Sequence, residues 1–303
     1  MTVNMAHSVR ARLLNISKAR GEDFNLVLTR YGLERLLYRL SKSSHAKGFV
    51  LKGAMLFTLW SEHPHRPSKD LDLHGFGAPD LDRLATVFRE VCDTEVEDDG
   101  LVFDQKAITA DRIKEDAEYE GVRVIVAAKL GSARLMLQID IGFGDAITPG
   151  PEDVDFPTLL DLPAPKLSAY PRATVVAEKL QAMVHLGLTN SRMKDFFDLW
   201  FLARTFDFDG PTLVEAVRAT FERRRTPIPE EAPLALTETF TSNVSKQTQW
   251  MAFLKRSGVA DRSLTLRSVV DAISLFLLPV LRGAQGSELL SVWTHGGPWG
   301  ERG

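Results

Sequence analysis

Arg66-Pro67-Ser68-Lys69-Asp70-Leu71-Asp72-Leu73 is the segment of this 303-residue chain richest in groups that do chemistry. The alternation from Asp70 to Leu73 predicts a strand, on which successive side chains take opposite faces. Asp70 and Asp72 then point one way while Leu71 and Leu73 enter the core. Two carboxylates a few ångströms apart repel one another unless a cation lies between them. Mg²⁺ fits that place, since it takes one or two carboxylates and shares its remaining positions with water and phosphate. An exposed strand with two solvated acids has the same pattern, so the motif needs support from elsewhere in the chain.

Two further segments supply it. Phe49-Val50-Leu51 reads as a short strand, and Lys52-Gly53-Ala54 turns it into a helix through Met55, Leu56 and Leu59. Gly53 lets backbone approach a phosphate, and a helix starting there offers free N–H groups and a positive dipole end. Arg134 to Ile141 alternates strictly, with Leu135, Leu137, Ile139 and Ile141 on one face and Gln138 and Asp140 on the other. Asp140 suits a third carboxylate, binding a second metal or acting as base toward an attacking hydroxyl. A partly exposed polar strand face is the alternative.

The elements that position these groups divide at a run of prolines. Residues 1–147 mix helices and strands: a helix over Phe24 to Leu40, the strands above, a helix over Leu81 to Val91, and antiparallel strands Val122 to Ala127 and Arg134 to Ile141 joined around Gly131. Pro149, Pro151, Pro157, Pro163, Pro165 and Pro171 make 148–172 an extended connector. Residues 173–303 read as helical, over Thr174 to Leu188, Met193 to Thr205, Pro211 to Phe221, Ser245 to Lys255 and Leu266 to Leu281, with Gly187 and Gly283 at helix ends and a frayed tail from Thr294. The expected architecture is bilobed α/β (α+β), a mixed sheet with helices followed by a mainly helical lobe.

Composition sets outer bounds. With 44% hydrophobic and 25% charged residues and a formal net charge of −3, the chain has the make-up of a soluble globular protein. A single cysteine, Cys92, excludes an internal disulfide and a cysteine-rich zinc site. Met1 to Arg20 has no continuous apolar run of the signal-peptide kind, and Val269 to Leu281 is too short to span a bilayer. The expectation is a cytoplasmic protein with no membrane contact. Charge is unevenly spread: Arg10, Arg12, Lys18 and Arg20 have no acid among them, and Arg30, Arg35, Arg39, Lys42, Lys47 and Lys52 face only Glu34. Acids gather in Asp93 to Asp99 and Asp111 to Glu120. Such polarity steers a polyanion toward the N-terminal side, although solvated helix faces look alike. Phosphate-loop, His-Glu-x-x-His and Gly-x-Ser-x-Gly signatures are all missing, and Gly142-Phe143-Gly144 is too short for a dinucleotide fingerprint. Glu222-Arg223-Arg224-Arg225 reads as a solvated helix end or as a grip on an RNA backbone.

The order of glycine at a helix start, Asp-x-Asp and a third acid resembles the DNA polymerase β-type nucleotidyltransferase superfamily. More closely, the chain is similar to the AbiEii/AbiGii nucleotidyltransferase toxins of type IV toxin–antitoxin systems, a group that includes the MenT toxins. Leu51-Lys52-Gly53, Arg66 to Leu73, Tyr170-Pro171, Ala177-Glu178-Lys179-Leu180 and Lys194-Asp195-Phe196-Phe197-Asp198-Leu199 carry the likeness, over about half the chain.

That resemblance implies an enzyme using Mg²⁺ and an NTP to add nucleotides to the 3′ acceptor end of tRNA, so blocking translation, with a cognate antitoxin as partner. It assigns metal binding to Asp70 and Asp72, and catalytic roles to Lys179 and to Asp195 as a base or an orienter of Lys179. Lys52, Gly53, Arg66, Ser68 and Asp198 join the nucleotide-binding set. A surface lysine paired with Glu178 or another acid is the plainer reading of Lys179, and Lys194, four residues before Asp198, offers that acid an intrahelical salt bridge. Gly53-Ala54-Met55 departs from the family's usual Gly-Gly-Thr, which removes a hydroxyl and leaves its role to Ser68. The spacing to Asp70 is long, with His63 to Pro67 as a loop over the site. Rival readings keep the chemistry but change the acceptor to a protein or small-molecule hydroxyl, or make the chain a nucleotide-binding regulator without catalysis.

Overall fold

The computed structural model of the chain describes residues 3–61, 69–116, 119–257, 259, 263–289 and 291–301. In chain order the first elements are α1 (Val3–Arg20), α2 (Phe24–Lys42), β1 (Phe49–Lys52), α3 (Leu56–Trp60), β2 (Asp70–Gly75), α4 (Leu81–Asp93), β3 (Leu101–Asp116), β4 (Tyr119–Leu130), β5 (Ala133–Phe143), β6 (Glu152–Asp155) and β7 (Lys166–Ala169). The rest are α5 (Arg172–Leu186), α6 (Met193–Thr205), β8 (Phe208–Asp209), α7 (Gly210–Arg223), α8 (Glu238–Thr241), α9 (Val244–Ser257), α10 (Leu266–Ala284), β9 (Val292–Trp293) and β10 (Trp299–Gly300). They fall into two units, Met1–Gly144 with Glu152–Ala169 and Asp145–Pro151 with Tyr170–Gly303.

In the first unit seven strands form one mixed sheet in the order β3-β4-β5-β2-β1-β7-β6, with β2 parallel to β5, β1 parallel to β7 and the other neighbours antiparallel. Alternation along β5 buries Leu135, Leu137, Ile139 and Ile141, and β4 matches it with Val122, Val124, Val126 and Ala128. α2 lies on that face so closely that a Cβ on Gly32 would come within 2.9 Å of Leu137.

The sequence predicts α2 as a one-sided amphipathic helix, yet every residue from Tyr31 to Leu40 is buried. Its charges are tolerated because they find partners. Arg39 donates to both carboxylate oxygens of Asp99, at 2.6 and 3.1 Å, and Arg35 lies 3.4 Å from the same carboxylate. Arg35 also donates to the Pro163 carbonyl at 2.9 Å, and Glu34 accepts the Leu159 N–H at 2.7 Å. Burial pushes Glu34 up to about 7, against the lowering effects of the Leu159 N–H and Arg35. Asp99, read from sequence as part of a solvated acid run, is therefore an internal counter-ion.

The proline-rich stretch is also more structured than an extended connector. Residues 152–169 belong to the first unit, where β6 and β7 extend the sheet, while 145–151 go with the second. Pro157, Pro163 and Pro165 fall between the two strands and Pro149 and Pro151 precede them, so no ladder hydrogen bond is lost.

In the second unit α5 packs on α7, and α10 on α6 and α7. The helices expected over Thr174 to Leu188, Met193 to Thr205 and Leu266 to Leu281 are α5, α6 and α10. Gly187 ends α5, whereas Gly283 lies inside the last turn of α10. The tail is tied down rather than frayed. β9 and β10 pair with each other and β9 with β8, and Trp293 and Trp299 pack on Phe276 with ring centroids 5.0 and 5.9 Å away. Their indole N–H groups donate to the carbonyls of Ala203 and Phe276. None of the described helices is long and apolar enough to cross a membrane.

Candidate active site

Sheet register brings the polar residues of four strands into one row. Lys52 of β1 pairs with Asp72 of β2, Asp72 with Asp140 of β5, and Asp140 with Arg123 of β4. Register partners on neighbouring strands share a face, so all four side chains emerge on the side opposite α2. Asp70, two residues before Asp72, joins them beside Gln138. The expected face for Asp70, Asp72 and Asp140 is thus the observed one, and each of the three is half-buried.

Gly53 has a specific reason to be glycine. Its φ of +73° is left-handed, and a Cβ there would overlap the Asp72 carboxylate, with Asp72 Cβ only 2.6 Å away. The missing side chain leaves the space that Asp72 occupies. The helix-dipole argument fares differently: after Gly53 there is one 3₁₀ turn, Gly53–Met55, and then the five residues of α3. So short a helix has little macrodipole, and phosphate binding here has to rest on charge.

Asp140 is firmly held. Arg123 donates to its two oxygens at 2.8 Å each, and the Gln138 amide to Oδ2 at 3.0 Å. A carboxylate offers about four lone-pair sites, so three are engaged. Sequence reading did not single out Arg123, although one charge inside the apolar run Val122-Arg123-Val124 was a signal. Among the described residues no three His, Cys, Asp or Glu side chains make a metal-holding group. The pair Asp70 and Asp72, hard oxygen donors on one face of β2, is a donor set Mg²⁺ accepts when phosphate completes its shell.

A second constellation lies wholly in the other unit. Lys179 of α5 donates to Asp195 Oδ1 at 2.6 Å and stands 2.9 Å from Asp198 Oδ2, both on α6. The three side chains are 16%, 7% and 0% exposed. Lys194 is exposed while Asp198 is fully buried, so the suggested intrahelical salt bridge gives way to the contact with Lys179. Glu178 lies 3.3 Å from Arg224, which also binds Asp145 and the Gln181 side chain at 2.8 Å each. Arg224 is therefore turned inward, whereas Arg223 and Arg225 are exposed.

Arg66 and Ser68, with the loop from His63 to Pro67, lie outside the described residues. Arg10, Arg12, Lys18 and Arg20 are exposed on α1, but Arg35, at 1% exposure, is internal and cannot meet a polyanion. Burial pushes the Cys92 thiol up to about 12, which keeps it protonated and unreactive.

A family model described as nucleotidyl transferase AbiEii toxin, type IV TA system, matches residues 35–272. Among solved structures, a candidate nucleotidyltransferase from H. pylori is 15% identical, covering 86% of this chain and 97% of that one with a TM-score of 0.48. JHP933 from Helicobacter pylori is likewise 15% identical, covering 84% and 91% with a TM-score of 0.47. No curated protein matches the chain.

Proposed function

Since the chain belongs to the nucleotidyl transferase AbiEii toxin family of type IV toxin–antitoxin systems and is a nucleotidyltransferase, we propose that it transfers a nucleotide from an NTP to the 3′ end of tRNA and so blocks translation. The supporting observation is the row Lys52, Asp72, Asp140 and Arg123, with Asp70 alongside. Asp70 and Asp72 would hold Mg²⁺, which neutralises triphosphate charge as a Lewis acid when bound. Lys52 supplies positive charge to the triphosphate, and the family resemblance assigns Arg66 and Ser68 to its phosphates, a catalytic role to Lys179 and Asp198 to the nucleotide-binding set. Asp195 holds the Lys179 ammonium through its hydrogen bond.

Asp140 has two proposed roles, a ligand for a second metal or a base toward the attacking hydroxyl. One remaining lone-pair site favours the base, which needs a single hydrogen bond. Catalysis then comes from positioning and electrostatics, without a covalent intermediate. A cognate antitoxin is the partner that membership of a toxin–antitoxin family calls for.

The test is transfer from each α-³²P-labelled NTP with Mg²⁺ to total tRNA, by wild type and by Asp70→Ala. Label in tRNA that the variant abolishes supports the reading and names the nucleotide. Label that enters a protein or small hydroxylated molecule instead overturns the tRNA acceptor. Triphosphate binding with no labelled acceptor of any kind favours a regulator.

A further inference from the structure

β4 and β5 bury one face beneath α1, α2 and α4 and leave the other, the face of the carboxylates, uncovered by described elements of their own unit. Along it Arg123 pairs with Asp140, Ile125 with Gln138, Ala127 with Met136 and Lys129 with Arg134. Met136, in mid-strand, is 64% exposed, and Val102 of β3, beside Lys129, is 47% exposed. Exposed apolar side chains grouped on one sheet face and rimmed by polar residues mark interaction surfaces.

We propose that this face is a track for the single-stranded 3′ end of the polynucleotide acceptor, leading it to Asp70 and Asp72. The inference rests on the transferase reading above and adds where the acceptor lies. Charge points to the occupant. Lys129 and Arg134 are exposed at the far end of the track, and neither makes an ion pair among the described residues. Arg134 stands six residues from Asp140 along β5, about 20 Å at the rise of a strand, which is room for a few nucleotides. Between the ends, Ile125, Ala127 and Met136 offer an apolar surface that accepts any base.

The outer bank fits the same occupant. Asp104 and Asp111 of β3 share this face, paired with Ala127 and Arg123, and their charge repels phosphate from the sheet edge back onto β4 and β5. At the far end the turn at Gly131 meets α1, where a Cβ would lie 3.8 Å from Ala6.

Steady-state transfer to tRNA, paired with equilibrium tRNA binding across a salt series, tests this in wild type, in Lys129→Glu/Arg134→Glu and in Met136→Asp. All three substitutions are on exposed side chains, and thermal melting checks that each variant is folded. The expected result is a KM for tRNA raised about tenfold or more in the double variant, with KM for the NTP unchanged. Its slope of log K against log salt should shrink by roughly one to two, the share of two lost phosphate contacts. Met136→Asp should raise the tRNA KM several-fold. Wild-type labelling of tRNA with unchanged KM and salt slope in the variants overturns the track and leaves the transferase reading intact. A wild type that labels no tRNA overturns both.

Discussion

Two clusters of carboxylates, one on strands and one on helices, meet opposite electrostatic conditions. Asp70, Asp72 and Asp140 are half-buried on an open sheet face, at positions fixed by strand register. Asp195 and Asp198 are buried around Lys179, an ion cluster within its own unit. Carboxylates of the first kind keep contact with solvent, where a metal ion can reach them, and those of the second are buried beside a lysine. Removing a carboxylate should therefore cost activity at the strand site, and stability as well as activity at the helical one.

The largest separation is expected at Asp72. Asp72→Ala should lower transfer roughly 10³-fold, the scale of several kcal/mol of charge stabilisation, with a melting temperature close to wild type. A collapse in stability equal to the loss of activity would erase the distinction between the clusters. Asp198→Ala should behave the other way, losing about 1.5–3 kcal/mol in denaturant melts, because a buried charge-assisted contact to Lys179 is removed while Asp195 still holds the ammonium. If it unfolds at the wild-type midpoint, the contact between Lys179 and Asp198 does not stabilise the helical unit.

Glu34 sharpens the comparison with a buried carboxylate that has no part in the chemistry. Its folded value of about 7 lies above the ordinary 4.5, so the native state binds the proton more tightly than the unfolded chain. The stabilisation is complete below about pH 4.5 and is lost as pH rises through 7, for a total of about 3 kcal/mol. Glu34→Gln should flatten that part of the stability–pH curve, read from melts between pH 5 and 8, and an unchanged curve would assign the slope to another group. Smaller still is Gly53→Ala, where the new Cβ displaces the Asp72 carboxylate. A misplacement of about 1 Å costs about 10²-fold in transfer. Unaltered kinetics would mean that the position of Asp72 is not critical.

Alternation and helical periodicity made β1, β2, β4, β5 and most helices of this fold readable, with Asp70 and Asp72 on one face of their strand and Asp140 on the polar face of its own, but β3, β6 and β7 were missed. Pairing was not readable. That Asp72 stands opposite Asp140, and Lys52 opposite Asp72, depends on register between strands far apart in sequence. The contact that forbids a side chain at Gly53 depends on the same register. Lys179, Asp195 and Asp198 came from the family likeness, because local pattern could equally assign Asp198 to Lys194. Arg35, Arg39 and Asp99 misled for a related reason: a charged side chain looks solvated until its distant partner is known. Prolines led to a reading of all of 148–172 as an extended connector, whereas β6 and β7 lie within it and the prolines fall outside both strands.

Labelled-nucleotide transfer to tRNA by wild type, Asp72→Ala and Lys179→Ala, with melting curves recorded on the same preparations, joins these strands of argument. The account predicts label with wild type alone, a wild-type melting temperature for Asp72→Ala and a lowered one for Lys179→Ala. Label retained by folded Asp72→Ala would contradict it, because the open carboxylates would then not be where transfer occurs.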